Sequence, residues 1–406
     1  MNDTTLINPP VQARPGSPDL RRRYAAIAAD SAKRDAGRIH PHEALALLKK
    51  VRFGALSLPV EQGGGGGTLR DVIAEAILLA EADPNVAHIF RNHFMFVERF
   101  LGTGPADKHP EWRHIVLNGG IVGLATTELN RPVTGGTIPQ QTTLTPDGDG
   151  WRLRGTKYYS TGSLYADLIL IRATAPGDIG VTVIVPTDRA GVERVDDWDG
   201  IGQRVTGTGT TNLHDVRVEA HEIDIDRDNQ PGLLHFISVI AQLFVTAVVA
   251  GTARASLRDA KALLLSRGRN FYFAPSSVAS QDPILQEAIG HLSANAFAAE
   301  HVVLAAADAL VAAARARRDG GPFEDLVHEA SLAAAKAKII ADELALRSAT
   351  ALFDVGGASA ATQRQNLDRH WRNARTLTTH NPASYKAQAI GAWEVLGTKL
   401  PGLGFF

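Results

Sequence analysis

The sequence contains no cysteine and only two methionines, and its charges nearly cancel. Without thiols, the chain cannot form disulfides, thiolate metal sites or cysteine nucleophiles, which fits a cytoplasmic location; no metal site of any kind is predicted. A formal net charge of −1 provides no field to attract nucleic acid or an anionic membrane. The most apolar run, residues 239–251, is shorter than the ~20 residues that span a bilayer. We therefore predict a globular protein with neither nucleic acid nor a membrane as a partner.

Three stretches of different character make up the 406 residues. Residues 1–120 have helical apolar spacing, whereas residues 121–228 break into short alternating runs separated by glycine, proline and aspartate. Residues 229–406 are alanine-rich, with long helical periodicity. The pattern predicts an α+β protein with an N-terminal all-α domain, a middle β domain of about five to seven strands, and a C-terminal helical bundle with a tail.

Residues 150–162 carry the most informative pattern. They follow a hairpin turn, alternate with a period of two from Trp151, and end in two tyrosines followed by Ser160 and Thr161. Aromatic rings beside hydroxyls at a strand end form a flat apolar wall with hydrogen-bonding groups, which suits a planar heteroaromatic ring. A plain surface hairpin is the alternative that this stretch alone leaves open.

The same stretch, GWRLRGTKYYSTG, resembles the middle-domain hairpin of the acyl-CoA dehydrogenase superfamily. The resemblance implies an N-terminal helical domain, a middle β-barrel domain and a C-terminal four-helix bundle that together bind a flavin. It implies that Tyr159 stacks on the flavin ring, while Ser160 and Thr161 make its polar contacts. It further implies ring or phosphate contacts from Thr126, Thr127, Asn130, Arg267, Arg269 and Arg375, with the choice between Arg267 and Arg269 open.

Members of this superfamily are dehydrogenases or monooxygenases, and the absence of a carboxylate base in the sequence distinguishes the two. A dehydrogenase needs a carboxylate base at one of two places, yet residues 369–386 and 229–258 contain no Asp or Glu. Residues 367–382 instead resemble the dibenzothiophene monooxygenase type. Because histidine exchanges protons near neutral pH, the resemblance implies that His93 and His380 manage protons at a flavin C4a-hydroperoxide made from O2. For His93, core packing is the alternative.

The substrate and the partners are expectations of the same kind. A phenylalanine-rich helix predicts an apolar aromatic substrate that contacts Phe90, Phe94 and Phe96, although core packing would give the same pattern. An indole-type carbon and a thiophene-type sulfur both stay open as the oxygenated atom. The resemblance implies reduced flavin, FADH2 or FMNH2, supplied by a separate NAD(P)H:flavin reductase, and a homotetramer or dimer. An acyl-CoA dehydrogenase and a non-catalytic helical oligomer are the alternative functions.

Overall fold

The computed structural model describes residues 12–102, 108–129, 139–226 and 230–402. Within these ranges, six α-helices precede the first strand, and all except the second contribute side chains to one apolar core. The fourth begins with a capping box, in which Thr68 and Asp71 each accept a hydrogen bond from the other's backbone amide. The helices are α1 Pro18–Ala29, α2 Ser31–Gly37, α3 His42–Lys49, α4 Leu69–Ala82, α5 Pro84–Phe96 and α6 Pro110–Leu117.

Eight strands of the described chain form one sheet in the order β6-β7-β3-β2-β4-β5-β8, with β1 paired in parallel to β4. All eight contribute side chains to a single apolar core, so the sheet wraps around it. Three strands that the sequence pattern missed are only three or four residues long, too short for alternation to be visible. The strands are β1 Val122–Ala125, β2 Thr143–Asp147, β3 Gly150–Lys157, β4 Leu168–Ala175, β5 Ile179–Pro186, β6 Val192–Val195, β7 Thr210–Val218 and β8 Ile223–Ile225.

Three long helices form the C-terminal bundle, and two shorter ones pack on it. The first is long and apolar enough to cross a membrane, but 83% of its most apolar window is buried, so it is a core helix as predicted. The second passes the same test with 39% buried. The predicted domain boundaries at 120 and 228 fall between groups of elements and stay predictions. The helices are α7 Leu233–Ser266, α8 Pro283–Asp319, α9 Phe323–Gly356, α10 Arg369–Thr378 and α11 Ala383–Leu396.

Helix α5 lies between the sheet and the bundle, and all of its residues are buried. Asp83 caps it by accepting hydrogen bonds from the amides of Asn85 and Val86, and Pro84 occupies the first turn, where no amide donor is needed. Because both faces of the helix are covered, its polar side chains must find partners inside the protein. Those partners define the site.

Candidate active site

The turn after β3 exposes one aromatic ring and buries two hydroxyls. Tyr159 has a left-handed backbone (φ 56°), is 55% exposed and meets Trp198 edge-to-face at 5.9 Å. Thr161 Oγ accepts a hydrogen bond from Thr208 Oγ at 3.0 Å. Ser160 Oγ is buried and has no partner among the described residues. Because an unsatisfied buried hydroxyl costs ~1–3 kcal/mol, a bound group that bonds it is favoured.

Helix α5 faces this turn with an asparagine. Asn92 donates from Nδ2 to the carbonyl of Thr161 at 3.2 Å, while its buried Oδ1 has no partner in the described ranges. On the other side of the turn, Tyr158 N donates to the carbonyl of Thr127 at 2.9 Å, and Thr126 and Thr127 are partly buried. An exposed ring with unsatisfied polar atoms beside it fits the face and edge of a flavin ring.

A buried ion pair holds the loop after β1 against β3. Lys157 is fully buried, and its Nζ donates to Glu128 Oε1 at 2.7 Å and to Gln140 Oε1 at 2.9 Å. Glu128 also accepts hydrogen bonds from the amides of Gln141 and Thr142. Burial raises the pKa of Glu128, but the bond from Lys157 and the amide bonds outweigh it and lower that pKa to about 2. The pair therefore stays ionised and fixes both walls of the site.

His93, expected at the reactive face of the flavin, is part of the core. It is fully buried; its Nε2 donates to the carbonyl of Gly54 at 3.0 Å, and its Nδ1 accepts from the amide of Val122 at 3.1 Å. Burial lowers the pKa of His93 to about 4, so the ring is neutral at pH 7. Both nitrogens bond backbone groups, which favours the core-packing alternative for His93, and its role at the flavin stays a prediction.

The phenylalanines of α5 also fill the core. Phe90 and Phe94 are each 1% exposed and pack edge-to-face on Phe53 at 5.0 and 5.5 Å. Phe96 lies on Trp112 at 5.7 Å, on another side of the helix, because residues two apart on a helix point about 200° apart. The structure supports the core-packing alternative, and the expected substrate contacts are not supported.

His380 lies where the loop after α10 meets α5 and α7. Arg91 donates from Nη1 to His380 Nε2 at 3.1 Å and from Nε to the carbonyl of Ala241 at 3.0 Å. A guanidinium can only donate, so the Nε2 of His380 is an acceptor and its Nδ1 carries the proton. Burial, followed by the charge of Arg91, lowers the pKa of His380 well below its ordinary value. His380 is thus neutral, and the residue is partly exposed.

The predicted flavin-binding arginines lie at the end of α7 and on α10. Arg267 donates to the carbonyl of Val355 and ties the end of α7 to α9, whereas Arg269 and Arg375 are exposed. Among the described residues, no hydrogen bond joins these three to the β3 turn. Their roles in flavin binding, including a phosphate contact from Arg267 or Arg269, stay predictions, and Asn130 lies outside the described residues.

Sequence reasoning missed His88, which lies one turn before Arg91 on the same face of α5. Its Nδ1 bonds Gln203 Oε1 at 3.0 Å, and its buried Nε2 has no partner in the described part of the chain. Burial, then the charge of Arg91, lowers the pKa of His88 to about 3, so it is neutral. The sequence did contain one indication of His88: a histidine and an arginine three residues apart lie on the same face of a helix.

Two family models match the chain: residues 123–216 match the acyl-CoA dehydrogenase middle domain, and residues 243–385 match its C-terminal domain. A dibenzothiophene monooxygenase of Mycolicibacterium goodii is 30% identical over 369 residues, which cover 86% of each chain. The structure of methanesulfinate monooxygenase MsuC from Pseudomonas fluorescens matches with a TM-score of 0.85 and 26% identity, covering 95% of this chain and 98% of that one.

A second solved structure, TdsC from Paenibacillus sp. A11-2 in complex with FMN and indole, matches with a TM-score of 0.84 and 25% identity and covers 95% of this chain and 98% of that one. The dibenzothiophene monooxygenase and MsuC match over 86% and 95% of this chain, and both are named monooxygenases. The chain therefore belongs to the acyl-CoA dehydrogenase superfamily, in its flavin-dependent monooxygenase branch.

Proposed function

We propose that the protein is the oxygenase component of a two-component system, which uses reduced FMN and O2 to oxygenate an aromatic heterocycle at an indole-type carbon or a thiophene-type sulfur. The observation that carries the proposal is the position of His380. Arg91 holds this histidine in the region where a dehydrogenase of the family would have its carboxylate base. A neutral imidazole next to a guanidinium is a poor base for removing a carbon-bound proton. The relative that binds FMN and indole supports the choice of cofactor and substrate class.

Each residue of the site has a stated task in this proposal. When bound, the flavin supplies the electrons and the C4a atom at which O2 is activated. Tyr159 stacks on the ring, while Ser160 Oγ and Thr161 bond its edge. His380 holds or delivers a proton from its partly buried position, where limited access of water protects a reactive oxygen species. Arginines at the ends of the long helices bind the phosphate.

We also propose a homotetramer or dimer, located in the cytoplasm and served by a separate flavin reductase. Three consecutive aromatic residues, Phe271, Tyr272 and Phe273, are 64%, 88% and 81% exposed. They begin two residues after Arg269, so a neighbouring subunit that covers them would bring its own flavin near that arginine. Exposed aromatic clusters of this kind are typical of protein interfaces.

Turnover with a reductase tests the function. Purified protein is incubated with an FMN reductase, NADH, FMN, catalase and indole or dibenzothiophene under ¹⁸O2, and we expect products that contain ¹⁸O. Reductase without the protein is the control for reactions of free reduced FMN. A series of acyl-CoA thioesters with an artificial electron acceptor should give no enoyl product. Oxidation of a thioester without oxygenation of either heterocycle would contradict the proposal.

Replacement of His380 should separate chemistry from flavin binding. We expect His380→Gln to bind FMN as wild type does and to form product about 100-fold more slowly, because proton transfer by a positioned group contributes about 10²–10⁴-fold. More H2O2 should be released per NADH consumed. His291→Gln, at a side chain 76% exposed on α8, is the matched control. Unchanged rate and unchanged peroxide release in the His380 variant would remove it from the proposed machinery.

A further inference from the structure

Arg91 carries a buried positive charge that the described residues do not balance. The residue is 7% exposed, and its two hydrogen bonds go to neutral acceptors, the carbonyl of Ala241 and Nε2 of His380. A guanidinium has five N–H donors, so three donors have no acceptor among the described residues. Although burial lowers the pKa of Arg91 to about 10, the group stays charged at neutral pH.

Three of the four other buried arginines of the described chain are paired with a carboxylate. Arg113 bonds Gln62 and the carbonyl of Leu101. An isolated buried charge costs several kcal/mol, so an arginine kept without a counter-charge indicates a ligand that supplies one. Three arginines form ion pairs with carboxylates: Arg34 with Asp83, Arg99 with Asp224 and Arg369 with Asp259.

The surroundings of Arg91 are cationic rather than acidic. After burial itself, the charges of Arg91, Lys338 and Lys386 all act to lower the pKa of His380. The carboxylate of Asp342 bonds Lys338 at 2.5 Å and is thereby committed to that lysine. His88, one turn away on α5, is neutral and adds no negative charge. An anion that reached the Arg91–His380 pair would therefore enter a positive field.

We propose that Arg91, oriented by His380 and Ala241, binds an anionic group of the substrate, so that the compound oxygenated carries a sulfinate, sulfonate or carboxylate. This inference rests on the proposed function and narrows its substrate class. The fork of a guanidinium binds two oxygens of such a group at once. Methanesulfinate, named in one solved relative, is an anion of this class.

A phosphate of FMN is the other oxyanion that the same guanidinium could bind. The position of Arg91 favours the substrate. The neighbouring Asn92 points at Thr161 and the β3 turn, where the flavin edge is proposed. Arg91 lies about 100° further around the helix and points to α7 and the loop after α10. The charge thus stands beside the proposed proton carrier rather than beside the arginines assigned to the phosphate.

Titration calorimetry on the full-length protein tests the site, in chloride buffer free of sulfate and phosphate, with and without FMN. The probes are sodium benzenesulfinate and its neutral analogue methyl phenyl sulfone. Wild type should bind the sulfinate more tightly than the sulfone. Arg91→Gln should weaken sulfinate binding by about 30-fold or more and leave sulfone binding unchanged. Arg91→Lys, which keeps the charge but loses the fork, should fall between the two.

Arg318→Gln, at an exposed position near the end of α8, removes the same charge and should bind both probes as wild type does. Thermal melts check that the variants fold. If Arg91→Gln does not fold, two measurements still test the proposal: wild type must prefer the sulfinate to the sulfone, and Arg91→Lys must reduce that preference. Equal affinity of wild type for the two probes, or unchanged sulfinate affinity in a folded Arg91→Gln, overturns the proposal.

Two further measurements distinguish a failure of the anion-site proposal from a failure of the proposed monooxygenase function. If Arg91→Gln binds FMN more weakly but riboflavin normally, Arg91 serves the flavin phosphate and the substrate proposal is overturned. Oxygenation of neutral indole is assayed independently of the anion. If no heterocycle or sulfinate is oxygenated while sulfinate binding depends on Arg91, the monooxygenase proposal fails and the anion site stands.

Discussion

Replacement of His93 by alanine is expected to lower the free energy of unfolding by about 3–5 kcal/mol. The truncation leaves the carbonyl of Gly54 and the amide of Val122 buried without partners, at ~1–3 kcal/mol each, and opens a cavity beside Phe90 and Phe94. Urea unfolding followed by circular dichroism measures the change. His291→Ala on the surface of α8 should stay within about 0.5 kcal/mol of wild type.

A stable His93→Ala variant that lost only oxygenation would support the catalytic role that the family resemblance implied. The conservative variant His93→Gln can both donate to Gly54 and accept from Val122, so it should recover part of the lost stability. Activity that follows stability across the variants would instead support a structural role. These two patterns cannot both be observed.

The same histidine predicts how stability depends on pH. Its pKa is about 4 in the folded chain and ~6.5 when unfolded, so between these values the unfolded state binds more protons. Its contribution is therefore complete above about pH 6.5 and is lost as the pH falls toward 4. Between pH 7 and 5, this one group should remove about 2 kcal/mol from wild type. The pH dependence of His93→Gln should be shallower by that amount, and parallel curves would contradict the assignment.

The second large effect is expected at Asp259, where α7 meets α10. Its carboxylate accepts hydrogen bonds from Arg369, from His370 Nε2 at 2.9 Å and from Arg258 Nε at 2.9 Å. Asp259→Asn leaves the cation of Arg369 buried without its counter-charge, which should cost about 3–5 kcal/mol. Thermal and urea unfolding measure it.

An exposed aspartate serves as the matched control for Asp259. Asp215 pairs with Arg154 on the sheet surface at side-chain exposures of 50% and 67%, so Asp215→Asn should change the stability by less than about 1 kcal/mol. Burial raises the pKa of Asp259, but its partners lower it far more, so the carboxylate contributes stability above about pH 3.9 and loses it below. Equal effects of the two substitutions would show that the α7–α10 contact is not held by this network.

Patterns confined to neighbouring residues were sufficient for much of the fold. The capping pair Thr68 and Asp71 and the apolar spacing after it set the bounds of α4. The turn at 147–150 and the alternation from Trp151 set the β2–β3 hairpin. The absence of acids in residues 369–386 excluded a dehydrogenase base there. Each of these features depends on residues that lie close together in the chain, so it can be predicted from the sequence without the tertiary structure.

The functions of buried side chains were decided by tertiary structure. The family resemblance implied a place at the flavin for His93 and left core packing open, and its hydrogen bond to Gly54, 39 residues away, favours core packing. Arg91 was passed over, although His380, 289 residues along the chain, gives it its position beside the proposed proton carrier. A side chain on α5 is buried whichever way it points, so its periodicity does not distinguish core from ligand site. Only the atoms across the contact determine whether a buried polar group is satisfied, and these come from distant parts of the chain.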